Sequence, residues 1–285
     1  MKAITGAAEG AAVPRATVCL SFDFDAVSPW VLGDELSPTQ LSRGLFGART
    51  GVPRILHLLE EYDVPATFFT PGHTLDSFPD RSREIVEAGH GVQHHGWSHT
   101  PPSAFDSRAA ERADVERGIE SIERVTGERP TGYRSPSWDL SEHTLDILQE
   151  LGFDWDSSGM ATDYTPYYLR EGWAAPADDV YDPGTETDVL ELPVSWKRDD
   201  YPAFAFRGGE LWGFADPARV VENWAAEFDW MYDTVEGGVY TLTMHPQVSG
   251  RGQILPHVET LIEHMRSKPG VAFRRMDDVA REFRG

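Results

Sequence analysis

Strand-like apolar runs alternate with stretches of helical spacing from residue 16 almost to the C-terminus. Such alternation lays successive strands parallel, each followed by a helix that packs back on the sheet. Strands are expected near 18–25, 66–70, 91–94, 131–134, 153–156, 189–193, 239–244 and 271–274. Helices are expected near 53–60, 79–88, 106–126, 141–152 and 216–235, then one before and one after the last strand. Neither GxGxxG nor GxxxxGK[ST] occurs, which removes the phosphate loop of nucleotide-binding sheets. An α/β protein with this many repeats and no such loop is expected to curl into a barrel. Residues 1–15 read as an Ala/Gly-rich lead-in and 16–285 as one domain. Two stretches fit neither period and are expected as long irregular loops: 26–49, rich in Gly, Pro and Ser, and 160–187, dominated by Tyr, Pro, Gly and Asp.

In a parallel barrel, functional groups gather at the C-terminal ends of the strands. The chemistry-bearing residues of this chain fall there one after another. Alternation along the first strand puts Val18, Leu20, Phe22 and Phe24 on one face and Cys19, Ser21, Asp23 and Asp25 on the other. Two carboxylates on one buried face cannot both stay ionised without a cation or donors. His94, His95 and His99 follow the third strand, Arg134 and Trp138 the fourth, Trp196 a later one, and His245 ends the last core strand. Histidines four apart are expected on one side of a helical turn. Two imidazoles and one carboxylate, with a position left open, are the ligand set of a catalytic zinc-type site. Each feature alone has an ordinary structural explanation; their joint occurrence, each after its own strand, does not. Of the aromatics near the expected mouth, Trp30, Trp97, Trp138 and Trp196 are candidates to stack on substrate, and His94 either touches substrate or orients a ligand or is a structural neighbour of the site.

Asp23-Phe24-Asp25, His95-Gly96-Trp97-Ser98-His99, Arg134-Ser135-Pro136-Ser137-Trp138 and His245-Pro246, taken in order, resemble the NodB-homology family of polysaccharide deacetylases. The likeness spans roughly residues 16–284. It implies a distorted (β/α) barrel of about seven parallel strands and hydrolysis of an amide carbon–nitrogen bond. It further implies a catalytic Asp23, a divalent metal (zinc first) on Asp25, His95 and His99, Arg134 orienting the base, Trp138 lining the pocket and His245 as acid. Most members carry the two acids side by side, whereas Phe24 separates them here. That spacing is similar to the branch of peptidoglycan-deacetylase-like proteins, cyclic imide hydrolases and allantoinase-like ureide hydrolases. Three functions therefore stand: removal of an acyl group from an N-acylated substrate, opening of a cyclic imide or ureide, and a silent carbohydrate-binding barrel.

Charge narrows the partners. The chain has 47 acidic against 25 basic residues, net −22, with lysine only at Lys2, Lys197 and Lys268. Nucleic acid and anionic membrane are excluded as partners on that balance, and tolerance of strong salt is expected because salt screens the self-repulsion. A lone Cys19 gives no disulfide framework. The first residues lack the apolar stretch of a signal peptide, and no uncharged span is long enough for a membrane helix. The expectation is a cytoplasmic protein acting on a small-molecule or oligosaccharide amide, with self-association left open.

Overall fold

The computed structural model describes residues 14–31, 36–206 and 213–284. The expected lead-in at 1–15 therefore lies almost wholly outside the described residues. Among the described residues nine strands form one sheet: β1 (Ala16–Asp23), β2 (Ala66–Thr70), β3 (Gly91–His94), β4 (Gly132–Tyr133), β5 (Trp155–Asp156), β6 (Tyr167–Glu171), β7 (Thr185–Glu191), β8 (Gly238–Met244) and β9 (Val271–Phe273). In the order β6-β7-β5-β4-β3-β2-β1-β8, every pair from β7 to β8 is parallel, and β9 pairs with β1 from outside that path. The sheet curls into the distorted barrel that the family resemblance implies. Its closure is incomplete. Between β7 and β8 the described residues give one parallel bridge, Asp199 to Thr243, in place of a ladder.

β1 is buried along its whole length, as a central strand covered on both faces must be. Val18, Leu20, Phe22 and Phe24 join the outer apolar layer with Ile55, Leu59, Leu261 and Ile262 from the surrounding helices. Cys19, on the inner face, packs with Phe69, Trp155, Leu190 and Leu192. The C-terminal helix Met276–Arg284 seals that layer with Met276, Val279 and Ala280. Apolar packing thus plugs one end of the barrel and leaves the polar positions of β1 to the other. Burial pushes the Cys19 thiol up to about 12, so it is an inert core residue.

Two expectations fail. Among its described residues the stretch 26–49 is mostly helical: Ser28–Val31, then Pro38–Phe46, then a π-turn at Gly47–Gly51 that runs into the helix Val52–Glu61. Ser37 caps the second of these by accepting the Gln40 N–H, and Pro38 opens it. Gly44 and Gly47 are sites of close approach rather than breaks: a Cβ at Gly44 would run into the Ala26 carbonyl, and one at Gly47 would crowd Gln247. The stretch 160–187 holds an antiparallel hairpin, β6 on β7, extended by the bridge Ala174 to Asp182. Its residues are largely exposed and paired by polar groups such as Arg170 and Glu186, so no apolar alternation marked it. Among the described residues no helix is long and apolar enough to cross a membrane.

Candidate active site

At the C-terminal rim of β1 the two acids share a face but meet different partners. Arg134, following β4 and fully buried, donates from Nη1 to Asp23 Oδ1 at 2.7 Å and to Ser21 Oγ at 2.9 Å. Its Nε donates to the Ser157 carbonyl and its Nη2 to Ser157 Oγ, while the guanidinium lies 3.9 Å from the Phe69 ring centre. Burial opposes charge on Asp23, but Arg134, with His95 and His245, holds its carboxyl below the usual range. Asp25 has no such guanidinium. Burial, with the Asp23 charge beside it, pushes the Asp25 carboxyl up to about 7 against the pull of His245.

Asp25 Oδ2 accepts from Gln247 Nε2 at 3.1 Å, whereas Oδ1 is buried with no hydrogen-bond partner. That orphaned oxygen lies 3.6 Å from His95 Nε2 and 3.5 Å from His99 Nε2. Donors each about 2.1 Å from a tetrahedral metal sit about 3.4 Å apart, so the three atoms fit one divalent cation. His95 Nδ1–H donates to the Arg134 carbonyl at 2.7 Å, which turns the Nε2 lone pair toward Asp25. Burial lowers the pKa of both histidines, so each is neutral and able to ligate.

The ligand histidines do not sit on a helical turn. After β3 the chain enters an irregular loop with Gly96 and His99 both at positive φ, 68° and 60°. The N–H groups of Trp97 and Ser98 are bound by the two oxygens of Asp114, at 2.8 and 3.0 Å, and that of Gly96 by His94 Nδ1 at 3.1 Å. His94 Nε2–H donates to the Val115 carbonyl at 2.9 Å, so a fully buried ring with both nitrogens engaged has nothing left for substrate. His94 braces the loop from inside. The helix Arg108–Thr126 can approach it because position 118 is glycine, where a Cβ would overlap the imidazole.

Trp97 is also turned away from the rim. Its Nε1 donates to Asp76 Oδ2 at 3.0 Å, Arg117 stacks on its face and its edge fills the space above Gly72. Trp138 and Trp196 do come together, ring centres 4.4 Å apart, with Trp196 47% exposed. Ser137 and Trp138 hold left-handed conformations, φ 60° and 50°, in succession after Arg134. Such backbone costs of order 1 kcal/mol per residue and tends to persist where a site needs it. Trp30 lies on the helix Ser28–Val31 beneath the Arg43 guanidinium, 5.6 Å from its ring centre.

His245 is in the opposite electrostatic state to the ligand pair. Its Nδ1 donates to Asp200 Oδ1 at 2.7 Å and its backbone N–H to Asp200 Oδ2 at 2.9 Å, leaving Nε2 3.9 Å from Asp23 Oδ2 and 3.8 Å from Asp25 Oδ2. Burial alone would lower its pKa, but the charge and hydrogen bond of Asp200 raise it well above the ordinary value. Ser249 Oγ donates to the same carboxylate, and Tyr201 packs on the imidazole. The sequence gives Asp200 no signal of this role, and it gives Gln247 none beyond its place in the stretch that follows His245. Asp199-Asp200 lies beyond the strand it follows, with no spacing that ties it to a histidine 45 residues on; its only signal is a second acid pair after a strand.

The chain belongs to the polysaccharide deacetylase family, whose model matches residues 13–155. It is 38% identical over 280 residues to a peptidoglycan deacetylase of Helicobacter pylori, covering 93% of this chain and 95% of that one. It is 28% identical over 295 residues to a peptidoglycan deacetylase-like protein of Gibberella zeae, covering 94% and 86%. Among solved structures, a polysaccharide deacetylase from Mycobacterium smegmatis superimposes with a TM-score of 0.85 at 34% identity, over 98% of this chain and 94% of that one. PuuE allantoinase shares the fold at a TM-score of 0.79 and 23% identity, over 96% and 92%.

Proposed function

We propose that the protein is a metal-dependent amide hydrolase that removes the acyl group from an N-acylated sugar of the peptidoglycan or polysaccharide type. The observation that carries this reading is the buried, unpartnered Asp25 Oδ1 facing His95 and His99 beside an arginine-held Asp23. Family membership and the peptidoglycan deacetylase relatives support the choice of substrate class. Asp25, His95 and His99 would hold the divalent ion, zinc by its donor set, which supplies Lewis-acid polarisation of the acyl carbonyl and activation of water.

The protein's own groups divide the proton work. Asp23, kept ionised by Arg134, presents Oδ2 to the rim and takes the proton from the attacking water. His245, kept protonated by Asp200, gives a proton to the departing nitrogen. Two titratable groups pushed in opposite directions by their surroundings are the usual mark of an assigned base and acid. Trp138 and Trp196 offer an exposed aromatic wall to a sugar face.

Because the raised pKa of His245 comes from Asp200, activity should persist well above the ordinary histidine range and fall only where His245 loses its proton. Asp200→Asn removes the negative charge, so the alkaline limb of the kcat profile should move to lower pH while metal content is unchanged. An unmoved limb would take the acid role from His245. The substrate class is tested by profiling the purified protein on N-acetylglucosamine oligomers beside succinimide, hydantoin and allantoin. Release of acetate from the oligomers is the expected result. Turnover of the rings alone would replace this reading with imide or ureide hydrolysis.

A further inference from the structure

Arginine in this acidic chain is commonly matched to carboxylates: Arg112 meets Glu116 and Glu150, and Arg275 meets Asp277 and Asp278. Arg43 and Arg251 break that habit. Among the described residues neither has an ion-pair partner. Arg43 donates from Nη1 to Gln40 Oε1 at 3.3 Å and lies over Trp30; Arg251 donates from Nε to the Gln247 carbonyl at 3.1 Å and covers Phe46, 4.1 Å from its ring centre. Both are half-buried and line one cavity of about 480 Å³, with Phe204, Phe206 and Phe214 among its walls. That is the size of a small-molecule site.

Two guanidinium groups held near each other oppose one another: burial and the Arg43 charge both press the pKa of Arg251 down. In a chain of net charge −22, carboxylates to relieve that repulsion are plentiful, yet none among the described residues pairs with either. Planar donors of this kind match a carboxylate bidentately, and the phenylalanine walls suit the organic group that bears it. Two of the cavity's walls are linked through the chain to the acid side of the active site. Arg251 follows the turn after His245 and is bound to Gln247, whose side chain holds Asp25; Phe204 ends the short helix whose first residue, Asp200, holds His245.

We propose that Arg43 and Arg251 form a carboxylate-binding subsite that selects an acidic substituent on the N-acylated substrate. The proposal rests on the amide-hydrolase reading, but its test does not require turnover. At long range the field of the protein repels anions, so a local pair of cations is what admits an acidic substrate. N-acetylmuramic acid and N-acetylglucosamine differ by one carboxylate-bearing substituent and serve as the probes. Calorimetric titration of the full chain in about 50 mM salt, where screening is modest, should show a preference of about tenfold for the acidic sugar. Arg43→Gln and Arg251→Gln should each abolish the preference while leaving N-acetylglucosamine binding intact, which also reports an intact fold; Arg43→Lys should restore part of it.

Equal binding of the two sugars by the wild type, or a preference that survives both glutamine variants, overturns the subsite. So does competition by inorganic phosphate as strong as that of the acidic sugar, since a carboxylate would then not be what is read. Arginine-dependent binding without hydrolysis of any N-acetyl sugar would leave the subsite standing and remove the catalytic reading. Deacetylation with no carboxylate preference would do the reverse.

Discussion

Replacing Asp25 by alanine is expected to remove bound metal and turnover together, with a rate loss of about 10³-fold or more. The expectation follows from a buried rim carboxylate oxygen without a hydrogen-bond partner that lies equidistant, within 0.1 Å, from two neutral imidazoles at 3.5 and 3.6 Å. Lewis-acid stabilisation is worth several kcal/mol of transition-state charge, and each 1.36 kcal/mol is tenfold in rate. His95→Ala should behave alike. Elemental analysis of the purified variants is the measurement, and full metal content in both would dissolve the ligand set. A pH dependence accompanies it. With the metal-free Asp25 carboxyl at about 7, a cation must displace a proton below that pH, so metal affinity should fall as pH drops through 7 and level off above it.

Asp23→Asn is expected to do the opposite to metal and nearly the same to rate. Asparagine keeps an oxygen for the Arg134 Nη1 donor, so the rim should stay assembled and the metal bound. What it loses is the basic Oδ2, and removal of a positioned general base typically lowers turnover by about 10²–10⁴-fold. The pair of variants separates binding from proton transfer. An Asp23→Asn protein that turns over near the wild-type rate would falsify the role given to Asp23.

Much of this was legible in the chain because barrel folds write their chemistry in a regular place. A buried strand such as β1 shows itself by apolar alternation, and the alternation itself forced Asp23 and Asp25 onto one face. The family resemblance, carried by residue type and order, singles out Asp25, His95 and His99, and the structure brings these three side chains together. The shape of the histidine loop could not be read in this way, because it depends on Asp114 and His94 capturing backbone N–H groups from a distance. For the same reason the sequence leaves His94 open between a substrate contact and a structural role and sets Trp97 near the mouth, whereas His94 braces the loop and Trp97 packs on Asp76 and Arg117. Asp200 was hidden by sequence separation and by lying next to the gap between β7 and β8, where strand periodicity gives no register. The 26–49 segment looks irregular in sequence because glycine signals a break, whereas Gly44 and Gly47 are close-approach points inside helical backbone, against the Ala26 carbonyl and Gln247.

Arg134 ties Ser21 and Asp23 on β1 to Ser157 beyond β5, above the apolar plug that includes Phe69 and Met276. One guanidinium therefore serves two masters, the rim's ionisation and the cohesion of the strands beneath it. Breaking a buried pair of this kind costs roughly 3–5 kcal/mol whether or not any reaction is run above it. Intolerance of change at position 134 would consequently be found even in a descendant that had abandoned hydrolysis, whereas Asp25, whose carboxylate is tied to a neutral Gln247 amide and to no guanidinium, would be freer to drift there. The retention of arginine is thus a poor witness to activity, and the bare carboxylate oxygen is the better one.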